Sequence, residues 1–287
     1  MAFDKFLKQL FKKISHNKAV SGYSIGTLEK SIDVVFKPGK DVSDIQYLPE
    51  CLKKPLNHYI IEFKSDRDLY DFTDIAKTAM YKWGYCHNEK VHPERFESVQ
   101  ACLLVVEKMA FVEELIQSTM LKKTSISGVY AVKNDPIQYF IVINELELKK
   151  ENLGLLINAS GDTMKKLLPY LRTHGYLEDP ELNKYIFTRC YLINVKGDEE
   201  LMTEIEKVLK NPHEESIKHA VEIVGMKKII DTVGLDKVID SVGLDKVIDS
   251  VGLDKVIDSV GSEKIINFLR QKHGSEEFQK LLEKNKE

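Results

Sequence analysis

Near its C-terminus the chain repeats with a period of nine: VGMKKIIDT (224–232), VGLDKVIDS three times (233–259), then a diverging VGSEKIINF (260–268). Nine residues advance an α-helix by about 900°, half a turn out of phase, so this array limits the fold more than any other feature. On one straight helix Leu235, Val238, Ile239 and Val242 face one way, and Leu244, Val247, Ile248 and Val251 face the other. Two arrangements satisfy that pattern. Either Gly234, Gly243, Gly252 and Gly261 each break the helix into two-turn segments that stack on their neighbours, or one long helix buries both faces against partner chains. Glycine inside a helix costs about 1 kcal/mol relative to alanine and is the usual residue just past a helix end, which favours the broken form. The Asp and Lys of VGLDKVIDS recur as a solvated face without the pattern of a ligand set, so the array reads as a device for self-association or spacing.

Upstream of the repeat the pattern is that of an α/β body over residues 1–212, followed by an all-α tail over 213–287. Phe3, Phe6, Leu7, Leu10, Phe11 and Ile14 mark an amphipathic helix over residues 2–15. Short β-branched and aromatic runs at 32–36 and 59–64 read as strands on either side of a polar loop that holds Pro38, Gly39, Pro49 and Pro55. Helical spacing follows over 68–86, with Asp66, Arg67 and Asp68 at its start and an end near Gly84. Two runs at 128–132 and 139–143, separated by Asn134-Asp135-Pro136, form a strand-turn-strand pair. Segments 99–107 and 153–158 are apolar enough for strands, and 162–173 and 198–210 for helices.

Two domains are also what 287 residues suggest, and 43% hydrophobic residues can supply a sizeable core. No apolar run approaches the 18 or so residues of a membrane-spanning helix. Lys5, Lys8, Lys12 and Lys13 interrupt the first 20 residues, so no secretory signal core is formed. Cys51, Cys86, Cys102 and Cys190 are scattered without a CxxC pair, and a reducing cytoplasm is the expected setting. The absence of GxxxxGK[ST] and GxGxxG removes the phosphate cradles of nucleotide-driven motors and nicotinamide enzymes.

Within the second predicted strand, Glu62 and Lys64 project from one face while Ile61 and Phe63 project from the other. An acid and a base on the same face of an apolar strand carry a burial penalty unless they act as a unit. Asp33 has a similar apolar frame. If the two strands are neighbours, Asp33 and Glu62 can converge on a hard cation such as Mg²⁺, with Lys64 beside a metal-bound water and a reacting phosphate.

The order of amphipathic helix, strand with Asp33, strand with Glu62-Phe63-Lys64 and helix 68–86 resembles the PD-(D/E)XK nuclease superfamily, whose restriction-endonuclease-like core carries a D…ExK signature. Phe3-Asp4-Lys5-Phe6-Leu7-Lys8, Ile60-Ile61-Glu62-Phe63-Lys64 and Tyr81-Lys82-Trp83 are similar to its recombination-promoting nuclease and transposase-like branch. The resemblance covers residues 1–145 and implies Mg²⁺-dependent (or Mn²⁺-dependent) hydrolysis of DNA phosphodiester bonds. It implies that Asp33 and Glu62 ligate the metal, that the Phe63 carbonyl completes the shell, and that Lys64 is the catalytic lysine. Two departures stand out: Ile32 rather than Pro precedes Asp33, and 29 residues separate Asp33 from Glu62. Asp41 and Asp44 are the alternative first aspartates. A catalytically inactive nuclease-fold scaffold acting through its repeat is the alternative function.

A second triplet, Glu147-Leu148-Lys149, has Asp135 twelve residues earlier but runs into the polar loop Lys149–Asn152, whereas Glu62 and Lys64 lie at a strand end that feeds a helix. Cys86-His87 with His92 is too small a set for a structural zinc site. The lysines of helix 2–15 could meet a membrane surface or DNA phosphates, but a packing helix is the preferred account of them. The net charge of −3 weighs against a uniformly nucleic-acid-binding surface, but it is an average over unlike parts. Residues 1–90 carry 15 Lys and Arg against 12 Asp and Glu, leaving 27 against 33 for the rest, so the half with the candidate site is mildly basic.

Overall fold

Central to the fold are three strands with almost no charge. A computed structural model describes residues 6, 8–12, 19–24, 31–37, 46–54, 58–66, 68–133, 137–193, 197–210 and 212–251. Residues 8–12 are helical and Phe6, Leu10 and Phe11 are buried; the rest of the expected helix over 2–15 lies outside the described residues, as do Asp41, Asp44 and Asp135.

The strands are β1 (Ala19–Ser24), β2 (Ser31–Phe36), β3 (His58–Lys64), β4 (Val99–Val105), β5 (Leu121–Lys123), β6 (Val129–Val132) and β7 (Ile137–Val142). They form one seven-stranded mixed sheet in the order β1-β2-β3-β4-β7-β6-β5. β1, β2 and β3 make an antiparallel meander, β3, β4 and β7 are parallel, and β6 and β5 return antiparallel at the far edge. Parallel strands need a crossover, and helix α1 (Phe72–Asn88) supplies the one between β3 and β4. Val99–Val105 is buried at every position, as expected for a central strand covered on both faces. On one face Val35, Ile60, Ala101, Leu103 and Phe140 form a core with Ile75, Tyr81 and Tyr85 of α1.

Helix α1 begins at Phe72, four residues later than the spacing suggests, and runs past Gly84 to Asn88. Asp71 and Asp74 close a capping box at its start, while the Asp68 carboxylate accepts from the backbone and hydroxyl of Ser65 and so holds a turn. Gly84 does not end the helix because Tyr85 and Cys86 beyond it still bury their side chains. After α2 (Ala110–Gln117), the apolar segment near 153–158 forms the short helix α3 (Leu153–Leu156) instead of a strand, followed by α4 (Gly161–Thr173). β1, α2 and the later helix α5 (Pro180–Cys190) are not anticipated by periodicity.

Contacts divide the chain into two compact units, Met1–Glu178 with Leu192–Ile205, and Asp179–Tyr191 with Glu206–Glu287. The division is not a single cut, and it falls within α6 (Glu199–Leu209). In the second unit α5 is tied to α7 (Glu214–Val224) by the Ser216 hydroxyl donating to Asn183 Oδ1 at 2.6 Å and by a 2.7 Å hydrogen bond between Thr188 and His219. The repeat continues as α8 (Met226–Val233), α9 (Leu235–Val242) and α10 (Leu244–Val251). Gly225, Gly234 and Gly243 separate these helices at φ 103°, 88° and 91°, a region that only glycine occupies at low cost. Each break restores the phase that nine residues would lose, so the equivalent residues Ile229, Val238 and Val247 are all fully buried in one core. The repeat lysines are not solely a solvated face: Lys228 donates to the Tyr191 carbonyl at the end of α5, and Lys237 to the Lys210 carbonyl just past α6. The copies over 252–268 lie outside the described residues.

Gly128 combines φ 73° with close packing, since a Cβ there would lie 2.6 Å from the Val142 carbonyl oxygen and 3.0 Å from the Glu145 backbone. Gly175 has a similar φ of 71° with nothing within 4 Å. Gly128→Ala is therefore expected to cost at least about 2 kcal/mol and Gly175→Ala about 1 kcal/mol, strain alone acting in the second. Urea denaturation of both variants checks the order, and equal losses would contradict it.

Candidate active site

Helix α1 lies over the face of β3 that carries His58, Ile60, Glu62 and Lys64. Two residues of strand advance about 6.6 Å and three to four residues of helix about 5 Å, so alternate strand positions can meet successive helix turns. Lys64 Nζ lies 2.7 Å from Asp74 Oδ1, Lys77 Nζ donates to Glu62 Oε1 at 2.7 Å, and the Tyr85 hydroxyl and His58 Nδ1 are 2.9 Å apart. Moving along the helix from Asp74 to Lys77 to Tyr85, the partners step backward along the strand from Lys64 to Glu62 to His58.

Asp33 joins this face through the β2–β3 register. The ladder runs Phe36–Tyr59, Val35–Ile60 and Val34–Ile61 and ends one residue short of Asp33, which the same register, if continued, would set opposite Glu62. There the Asp33 carboxylate takes over from the ladder, with Oδ2 accepting from the Phe63 N–H at 3.0 Å. On an extended strand a residue's C=O points to the same edge as its N–H, so the Phe63 carbonyl is directed toward Asp33. The three side chains expected to act together, Asp33, Glu62 and Lys64, thus lie at one end of β2 and β3 beneath the start of α1.

The Glu62 carboxylate is 5% exposed, and its two oxygens have different surroundings. Oε1 receives Lys77 and lies 3.9 Å from Lys64 Nζ, whereas Oε2 is buried and accepts no hydrogen bond. A buried carboxylate oxygen without a donor is costly, and a cation would relieve it. Among the described residues no group of three or more His, Cys, Asp or Glu side chains is arranged to hold a metal ion. The set that fits a hard cation here is smaller: the carboxylates of Asp33 and Glu62 and the Phe63 carbonyl, with water for the remainder, as suits Mg²⁺.

Lys77, Asp74 and Tyr81 belong to the site and were not expected from the strand motif. Burial alone would lower the Lys77 pKa, but its hydrogen bond to Glu62 and that carboxylate's charge raise it above 10.5. Lys77 Nζ also sits 5.2 Å from the centre of the Tyr81 ring. The Tyr81 phenol is pushed up chiefly by burial and further by the charges of Glu62 and Asp33, against the pull of Lys77. Asp74 also accepts from the Asp71 N–H, so the capping box fixes the carboxylate that holds Lys64. The available signal was polar residues at Asp74, Lys77 and Tyr81, spaced i, i+3, i+7 along an otherwise apolar helix face.

The other sequence motifs are placed differently. Glu147 and Lys149 pair with each other at 3.2 Å on the surface of a loop. Cys86 is buried, with its thiol pKa raised by burial, while the adjacent His87 and the nearby His92 are exposed. No helix of the described residues is long and apolar enough to cross a membrane. No family model matches this chain, and neither the curated proteins nor the solved structures provide a match.

Lys77→Met leaves Glu62 buried without its nearest cation, and is expected to cost about 3 kcal/mol, while Glu62→Leu/Lys77→Met removes both charges and costs less. Because folding raises the Lys77 pKa, the ammonium's contribution is complete below its ordinary value of 10.5 and fades as pH rises beyond it. Urea midpoints of wild type and Lys77→Met should therefore converge in strongly alkaline buffer. A constant gap through that range would contradict the assignment.

Proposed function

We propose that this chain is a metal-dependent nuclease of the PD-(D/E)XK type, with a restriction-endonuclease-like core, that hydrolyses DNA phosphodiester bonds. What supports this reading is that Asp33, bonded to the Phe63 N–H, and the Glu62–Lys64 pair lie at one end of adjacent strands, with Glu62 Oε2 buried and lacking a donor. The order of meander β1-β2-β3, helix α1 and parallel strand β4 is also the one the resemblance implies. Asp33, Glu62 Oε2 and the Phe63 carbonyl would hold Mg²⁺ or Mn²⁺. When bound, such an ion supplies Lewis acidity at a phosphoryl oxygen and lowers the pKa of a coordinated water. Lys77 keeps Glu62 Oε1 engaged and so leaves Oε2 for the metal. Lys64, positioned by Asp74, presents an ammonium that can orient the attacking water and offset charge developing on the phosphate. The C-terminal repeat serves self-association or spacing.

One observation favours the inactive-scaffold alternative: Lys64 is held by Asp74 at 2.7 Å and the Glu62 charge is already matched by Lys77 at 2.7 Å, so the cluster is electrostatically satisfied without metal. Plasmid nicking in Mg²⁺ or Mn²⁺ decides between them. The nuclease reading expects Glu62→Ala and Lys64→Ala to lose at least about 100-fold in rate, with Lys149→Ala unchanged. Absence of metal-dependent nicking by the wild-type chain, or equal rates in all three variants, would reject it.

A further inference from the structure

At the opposite end of β3 from the candidate active site, His58 lines a cavity of 740 Å³ together with Lys90, His92, Arg95 and Ser98. Here α1 ends and the chain turns through the 3₁₀ segment Pro93–Ser98 into β4. Lys90 and Arg95 bring full positive charge to the lining, and the two imidazoles add donors. The carboxylate that also lines it, Glu89, is matched by Lys37 at 3.3 Å, and His92 lies 3.7 Å from Glu94 outside the lining.

His58 is tied to α1 through Tyr85. Its Nδ1 and the Tyr85 hydroxyl lie 2.9 Å apart, and the Lys37 ammonium sits 5.6 Å from the centre of the Tyr85 ring. Burial first, and the Lys37 charge second, lower the His58 pKa below 6.5, against a smaller opposing effect of Glu89. Both effects favour the uncharged ring, which keeps one N–H donor.

We propose that this cavity binds a phosphate group, carried either by a small phosphorylated ligand or by a nucleic-acid backbone. The guanidinium fork of Arg95, the Lys90 ammonium and the imidazoles of His58 and His92 at this hollow suit the several acceptor oxygens of phosphate. The volume is that of ordinary small-molecule sites. His58 and Glu62 are on one face of the same strand about 13 Å apart, a span that one nucleic-acid chain could cover. The proposal does not rest on the nuclease reading, because phosphate binding can be measured without divalent metal.

Calorimetric titration of the full chain in EDTA with inorganic phosphate, and separately with an oligothymidylate lacking terminal phosphates, tests it. Saturable phosphate binding is expected, weakened at least about tenfold by Lys90→Asn/Arg95→Gln. Lys122→Gln/Lys123→Gln removes the same charge from exposed positions of β5 and should leave binding within about twofold. Parallel weakening of oligothymidylate binding assigns the phosphate to a nucleic acid, and phosphate binding without oligothymidylate binding assigns it to a small ligand. A phosphate-dependent shift of the His58 ring signals in the wild-type NMR spectrum provides a readout without substitution. No saturable binding, equal loss in both double variants, or no His58 response would overturn the proposal.

Discussion

The contact of α1 with β3 is the interaction on which the rest of the first unit depends. The strand alternates its side chains between two faces, and the helix returns to the same face every three to four residues. Those two periods bring Asp74 to Lys64, Lys77 to Glu62 and Tyr85 to His58, so a polar line runs beside the apolar contacts of Ile60, Ile75 and Tyr81. The apolar contacts supply attraction without direction. The charge pairs specify register, since sliding the helix by one turn would bring Asp74 toward Glu62, separate Lys77 from its carboxylate, and leave a buried charge uncompensated.

The same line gathers the chemistry. Burying a carboxylate as deeply as Glu62 costs several kcal/mol unless cations and donors compensate, and here a lysine from the helix provides most of the compensation. One oxygen is satisfied and the other is left without a donor, a division that neither strand nor helix would produce alone. Asp33 enters through the antiparallel pairing of β2 with β3, where its carboxylate replaces a backbone acceptor for Phe63. The cluster therefore uses a strand pair, a crossover and a helix cap, and perturbing any of the three would move the charges.

In the second unit the governing constraint is conformational. A period of nine is incompatible with one buried stripe on a straight helix, and the positive-φ glycines resolve the conflict by restarting the helix at each copy. Ile229, Val238 and Val247 can then all enter one core. A β-carbon at Gly234 would strain that backbone even though nothing lies within 4 Å of it, so the glycine is required by torsion and not by crowding.

Local chemistry was sufficient for much of this. The alternation at 59–64 identified β3, the pattern at 32–36 identified β2, and the repeat's glycines indicated short broken helices, because each of these signals depends on neighbours within one or two turns. The start of α1 is not legible locally, because Asp68 with Asp71 and Asp71 with Asp74 offer the same capping-box spacing, and the structure uses the second while Asp68 holds the turn at Ser65. The segment 153–158 was ambiguous because a short apolar run buries equally well as helix or strand, and the sheet provides it no open edge between β4 and β7. The sequence by itself determined that Glu62 and Lys64 share a face, since that follows from a strand's two-residue period. The fold, by contrast, is what brings the Asp33 carboxylate to the Phe63 N–H, makes Lys77 and not Lys64 the nearer cation to Glu62, and sets Asp74 against Lys64. These relations join residues 10 to 30 positions apart, and no local periodicity encodes which strands pair or which helix turn lands on which strand residue.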